Sequence, residues 1–142
     1  MPRAKATILC VDDYRSSLVG RKMLLEASGY EVFAASDGPE GLKLFRSHAV
    51  DAVVLDYQMP GMNGDVVAAK MKRINSRVPI ILLSSCGPPP ESELSSVDTF
   101  LSKSQPPNML LFTLQRLLGV RPKNIFNRWL DSWKKRNWAV IR

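Results

Sequence analysis

The residues with chemical capacity in this 142-residue chain are a few acids, a hydroxyl and a lysine, each closing an apolar run. "TILCVDD" (7–13) ends on Asp12 and Asp13, and "AVVLD" (52–56) ends on Asp56. "PIILLSS" (79–85) ends on Ser84 and Ser85, and "TFLSK" (99–103) on Lys103. A carboxylate is costly to bury without a partner, so an acid ending a core strand needs compensation. Three carboxylates brought together repel one another unless a cation sits among them. Hard oxygen ligands favour Mg2+, which keeps several waters and so leaves room for a phosphoryl oxygen. A lysine and a hydroxyl opposite would complete a site for that anion. Singly, each residue has a plainer use. Asp12 or Asp13 would cap a helix at "YRSSL", Ser84 would be a strand-end hydroxyl, and Lys103 a solvated charge. Their joint occurrence at successive strand ends is what those uses leave unexplained.

The elements that must position them follow from the apolar pattern. Five runs read as strands: 7–12, 31–36, 52–56, 79–85 and 99–103. The first, third and fourth are nearly continuous in aliphatic residues, as in strands buried on both faces of a parallel sheet. Helical spacing links Leu18 with Leu25, Leu42 with Phe45, and Val67 with Met71 and Ile74. Asp37 is a cap for the second helix, with Pro39 in its first turn, and Gly29 closes the first. Strands alternating with helices imply right-handed βαβ units in an α/β fold with helices on both faces. The fourth crossover, "CGPPPESELSSVD" (86–98), has three prolines and only Leu94 and Val97 to bury. Its helix is expected to be short, irregular or absent. "NMLLFTLQRLL" (108–118) forms the last helix and stops at Gly119.

Ligands of open parallel α/β sheets bind beyond the carboxyl ends of the strands, where these polar residues lie. At that point the chain from about Thr7 to Gly119 resembles a response-regulator receiver domain, the phospho-acceptor half of two-component signalling. The resemblance rests on "VDD" (11–13), "LDYQMPGMNG" (55–64), Ser84 and Lys103, in that order. It implies a flavodoxin-like, five-stranded parallel sheet in the order 2-1-3-4-5, followed by a C-terminal helical extension. Asp56 would be the phosphoacceptor, taking a phosphoryl group from the phosphohistidine of a sensor histidine kinase or histidine phosphotransfer protein. Asp13 would ligate Mg2+ directly and Asp12 through its water shell, with Asp56 and the Gln58 backbone carbonyl as further ligands. Lys103 and Ser84 would bind the phosphoryl oxygens. Phe100 matches the aromatic that swings inward when the hydroxyl moves, and Pro60 and Gly64 shape the loop beyond Asp56. The readout would be a switched surface for an unknown downstream protein, and the chain would not be a conventional enzyme.

Three features depart from the family pattern. Ser104 follows Lys103 where proline is usual, the stretch from Ser84 to Lys103 is short, and Ser85 replaces a smaller residue. The weakened fourth crossover would alter the signalling face more than the chemistry. The alternative is therefore a receiver-like interaction module that signals without phosphorylation. A third reading, a Mg2+-dependent aspartyl phosphohydrolase, usually needs a second acid two residues after the nucleophile, and Gln58 stands there.

Composition sets the remaining bounds. With 45% apolar and 23% charged residues, the chain suits one globular domain. Two cysteines are too few for a disulfide framework, which points to a reducing, cytoplasmic setting, with Cys10 as a core residue. The N-terminal apolar run is too short for a signal peptide, and no stretch of about 18 apolar residues would span a membrane. His48 has no second ligand nearby and reads as a surface residue. The net charge of +7 is concentrated in residues 120–142, which hold seven Lys/Arg and one Asp, leaving +1 for the rest. This divides the chain into a receiver (1–119) and a basic amphipathic tail (120–142), too short for a DNA-binding output domain. With Pro122 starting a helix and a rotation of about 100° per residue, Ile125, Phe126, Trp129, Leu130 and Trp133 share one face. Arg128, Asp131 and Lys135 lie away from it, and the helix frays near Lys135. Folding back on the receiver, self-association, a membrane surface and an acidic partner groove all suit such a tail.

Overall fold

The computed structural model describes residues 5–119. β1 (Thr7–Val11), β2 (Glu31–Ala35), β3 (Ala52–Asp56), β4 (Ile80–Ser84) and β5 (Thr99–Ser102) form one sheet. Its order is β2-β1-β3-β4-β5 and every pairing is parallel. This is the expected doubly wound topology, with the crossover from β2 to β3 passing back over β1.

The aliphatic runs explain the layering. Every residue of β1, β3 and β4 is buried, and successive side chains point to opposite faces. Ile8, Cys10, Val54, Ile81 and Leu83 share one face with Leu18 and Leu25 of α1 (Arg15–Ala27). Leu110, Leu111 and Leu114 of α4 (Pro107–Leu118) complete that layer. Leu9, Val53, Leu55, Ile80 and Leu82 share the other face with Leu42 and Phe45 of α2 (Gly38–Ser47). Val67, Ala68 and Met71 of α3 (Gly64–Ile74) close it. Each large aliphatic side chain removed from water contributes about 1.5–3 kcal/mol, so the two faces together fix the strand ends. Cys10 lies in this core, where burial pushes its thiol up to about 12 and leaves it unreactive.

Helix ends follow local chemistry. The Asp37 carboxylate accepts from Glu40 N at 2.8 Å, and the Glu40 carboxylate accepts from Ser36 N at 3.0 Å. This reciprocal pair satisfies donors the first turn of α2 leaves open. Gly29 (φ 98) follows α1 and Gly119 (φ 63) caps α4, in the left-handed region that costs a larger residue strain.

One expectation needs correction. Ile74, placed by its spacing on the buried face of α3, is 40% exposed. It is the last residue of the helix, and the chain turns away at Asn75 before the next turn could press it against the sheet. His48 is exposed as expected, with its ring 4.1 Å from that of Phe33.

The fourth crossover holds only a three-residue 3-10 turn, Glu91–Glu93. Leu94 and Val97 are half-buried against the α2–α3 face. Asp98 anchors the far end, accepting from Ile80 N at 2.7 Å and Lys72 Nζ at 2.8 Å. β5, the edge strand, is only half-buried at each position. No described helix is long and apolar enough to cross a membrane. The expected tail helix falls on residues 120–142, outside the described residues.

Candidate functional site

Adjacent strands bring the acids together. β1 pairs with β3 through Cys10–Val54 and Val11–Leu55, so Asp12 and Asp13 emerge beside Asp56. One carboxylate oxygen from each of the three lies within 4.8 Å of the others. Asp12 and Asp56 are buried, while Asp13 faces solvent. Neither acid of the pair caps α1. Instead Asp12 Oδ1 accepts from Tyr14 N at 2.9 Å, and its Oδ2 meets two cations.

Those cations come from opposite sides. Lys103 follows β5, two strands away from β3, and reaches across the end of β4. Its Nζ lies 2.9 Å from Asp56 Oδ1 and 3.2 Å from Asp12 Oδ2. Its backbone N–H donates to Ser84 O at 2.9 Å, which fixes the start of that reach. Arg21 Nη1 lies 3.1 Å from Asp12 Oδ2, and the sequence reading missed it. A signal was present: Arg21 falls between Leu18 and Leu25 at helical spacing, a charge on the buried face of α1.

Three acids against two cations leave the corner short of positive charge. Burial raises the Asp56 carboxyl from 3.8 to about 6, the Lys103 ammonium working against it and Asp12 and Asp13 adding to the rise. In the metal-free state Asp56 therefore holds a proton more readily than an ordinary aspartate.

Beside Asp56 opens a cavity of about 340 Å³, lined by Asp13, Tyr14, Ser17, Gln58, Ser85 and Lys103. Asp12 lies beneath it, occupied by its partners. Ser84 is buried, and its Oγ accepts from Cys86 N at 3.2 Å, so of the two serines that end β4 it is Ser85 that lines the cavity. Phe100 is half-buried on β5, paired with Leu82 in the sheet. It is not among the cavity's lining residues. The loop after Asp56 closes tightly: Gly64 N donates to Tyr57 O at 2.7 Å. A Cβ on Gly64 would fall 2.3 Å from the Asp56 carbonyl oxygen, so the close approach demands glycine. The Tyr57 hydroxyl donates to Glu93 of the fourth crossover. That bond heads the causes that push the phenol up to about 12.

A family model described as the response regulator receiver domain matches residues 8–115. The chain belongs to that family. It is a receiver domain of two-component response regulators, with a CheY-like fold. Chemotaxis protein CheY4 of Vibrio cholerae superposes with a TM-score of 0.76 at 32% identity, over 81% of this chain and 100% of that one. Response regulator TrrA of Thermotoga maritima, solved in complex with Mg(2+)-BeF, gives 0.76 at 32% identity over 80% and 99%. Transcriptional regulatory protein GlrR of Escherichia coli is 27% identical over 145 residues, covering 100% of this chain and 33% of the relative. The receiver spans about a third or less of the length of the first curated relatives it matches.

The donor set fits a divalent cation. Three carboxylates converge with a deficit of positive charge, and Gln58 borders the same cavity. All-oxygen coordination by acids and a loop residue is the chemistry Mg2+ takes.

Proposed function

We propose that this receiver accepts a phosphoryl group at Asp56 from the phosphohistidine of a sensor histidine kinase or a histidine phosphotransfer protein. The observation that carries the reading is the convergence of Asp12, Asp13 and Asp56, with Lys103 Nζ bridging two of them. Asp13, Asp56 and the Gln58 carbonyl would hold Mg2+, with Asp12 behind them. Bound there, Mg2+ supplies the charge neutralisation that phosphoryl transfer requires.

The chain's own residues position the rest. An ionised Asp56 oxygen forms the new P–O bond as the P–N bond to the donor imidazole breaks, the electron pair leaving with the ring nitrogen. Lys103, already at 2.9 Å from Asp56, follows the negative charge onto the phosphoryl oxygens. Ser84 turns its hydroxyl from Cys86 N to the same group, and Phe100 moves into the space it leaves. The added charge thereby biases a protein-interaction surface for a downstream partner. This is a self-modifying switch and not a turnover enzyme, working in the cytoplasm as a receiver unit (1–119) with an appended tail (120–142).

The test is incubation with acetyl phosphate and Mg2+, followed by intact mass and base treatment. One base-labile phosphoryl group is expected, abolished by chelation and absent in Asp56→Asn. Labelling of the Asn variant, or none in the wild type with Mg2+ bound, overturns the reading.

A further inference from the structure

The first three crossovers each lay a helix on the sheet, and the fourth lays only a 3-10 turn. Pairing of Phe100 with Leu82 points both side chains to the α2–α3 face. Among the described residues, 86–98 roof that face at the β5 edge, and Phe100, Leu94 and Val97 remain half-buried there. The roof is acidic: 86–98 holds no lysine or arginine, Asp98 is paired with Lys72, and Glu91 and Glu93 leave the surface net negative.

Residues 120–142 complement this surface in three respects. Their charge is +6 against an acidic roof. Their apolar positions, Ile125, Phe126, Trp129, Leu130 and Trp133, recur on one helical face and suit a half-covered apolar strip. Their point of departure is also right. α4, the element that follows β5, ends at Gly119 on the α1–α4 side, and β5 is one of the two edge strands among the described residues. Pro122, where the helix would start, lies three residues beyond Gly119, a reach of up to about 10 Å, about the spacing between a helix layer and the sheet. A helix from Pro122 to Lys135 would run about 21 Å, longer than the four-residue β5.

We propose that residues 120–142 dock in cis on the β5 edge, supplying the helix that the fourth crossover lacks. The apolar stripe covers Phe100, Leu94 and Val97, and the basic residues face Glu91 and Glu93. Burial of the aromatic stripe supplies most of the attraction, and the charge match selects this face over the basic flank of α1, which carries Arg15 and Lys22. The proposal shares Phe100 with the phosphorylation reading but invokes none of the acids at the carboxyl ends of β1 and β3, so its test needs no phosphoryl group.

All three tryptophans, Trp129, Trp133 and Trp138, lie in this segment, so selectively excited tryptophan fluorescence of the full chain reports on it alone. Docking predicts blue-shifted emission, protected from acrylamide, unchanged on dilution, and carried by a monomer in sedimentation. Glu91→Lys, an exposed position, should lose part of the blue shift, and raised salt should do the same in wild type. Leu94→Ser should lose most of it. Solvent-like emission in the wild type overturns the proposal. So does a blue shift indifferent to both substitutions, one that vanishes on dilution as mass halves, or one that arises only with anionic phosphatidylglycerol vesicles.

Discussion

β3 and β5 belong to one parallel sheet, yet they are built for different work. β3 is buried at every position and ends on the buried Asp56, whereas β5 is half-buried throughout and lies at the sheet edge. A nucleophile needs a fixed position, because small displacements of reacting groups are costly, and the centre of the sheet provides it. Readout needs an element whose arrangement can change cheaply, and such elements have few buried apolar contacts. Lys103 connects the two, rooted after the soft strand with its ammonium on the acids of the rigid ones.

That contrast breaks most directly at the level of packing. Ile81→Ala in β4 removes a fully buried side chain and should cost about 3–4 kcal/mol in urea unfolding. Leu94→Ala in the crossover removes a half-buried one and should cost about 1 kcal/mol. Similar losses at the two positions would mean that the edge is as firmly packed as the centre.

A second test uses the charge deficit at the end of β3. The Asp56 carboxyl titrates at about 6 in the folded, metal-free protein and at 3.8 in the reference state. Between those values the folded state binds the proton more tightly, so this group's contribution to stability is full below about pH 4 and is lost as pH rises through 6. From this group alone, metal-free protein should be more stable at pH 5 than at pH 7, by an amount on the order of 1 kcal/mol. Asp56→Asn should remove that slope and stay folded, since it leaves two acids facing Lys103 and Arg21. A denaturation series from pH 5 to 7 on both proteins decides it.

The bridge itself gives a third. Lys103 holds the Asp56 carboxyl down, so Lys103→Ala should move its titration above 6 while the amide protection of β1 and β3 persists. Carboxyl-carbon NMR shifts followed with pH would show it, and an unmoved or lowered midpoint would remove Lys103 from the site.

The smallest effect lies in the fourth crossover. Tyr57 follows Asp56 directly, and its hydroxyl donates to Glu93. Tyr57→Phe should quicken hydrogen exchange at residues 91–98 and leave β1, β3 and β4 unchanged. Equal acceleration in the core strands would show that this contact supports the whole fold and not the crossover alone.

The legible part of the site was the part written in strand ends. Asp12, Asp13, Asp56, Ser84 and Lys103 each close an apolar run, and a parallel sheet carries all such closures to one rim. Arg21 stayed hidden because a cation two turns into a helix has no strand end to mark it. Ile74 was misplaced because periodicity says which face a residue lies on, not whether the helix still touches the sheet there.

By itself, the sequence determined the α/β alternation, the buried strands, the weak fourth crossover and the Asp37, Gly29 and Gly119 helix ends. These depend on residues near one another in the chain, where propensity and spacing act directly. Tertiary structure alone decided that Lys103 spans β4 to reach Asp56 and Asp12, that Asp12 is saturated by Tyr14 N, Arg21 and Lys103, and that Ser84 turns to Cys86 N. It also decided that Tyr57 is tied to Glu93. Each of the long-range contacts joins groups from 9 to 91 residues apart, and the local Ser84 and Tyr14 contacts depend on how the strand ends turn. Such partners meet only when packing has closed the loops between them, so no local pattern can specify them.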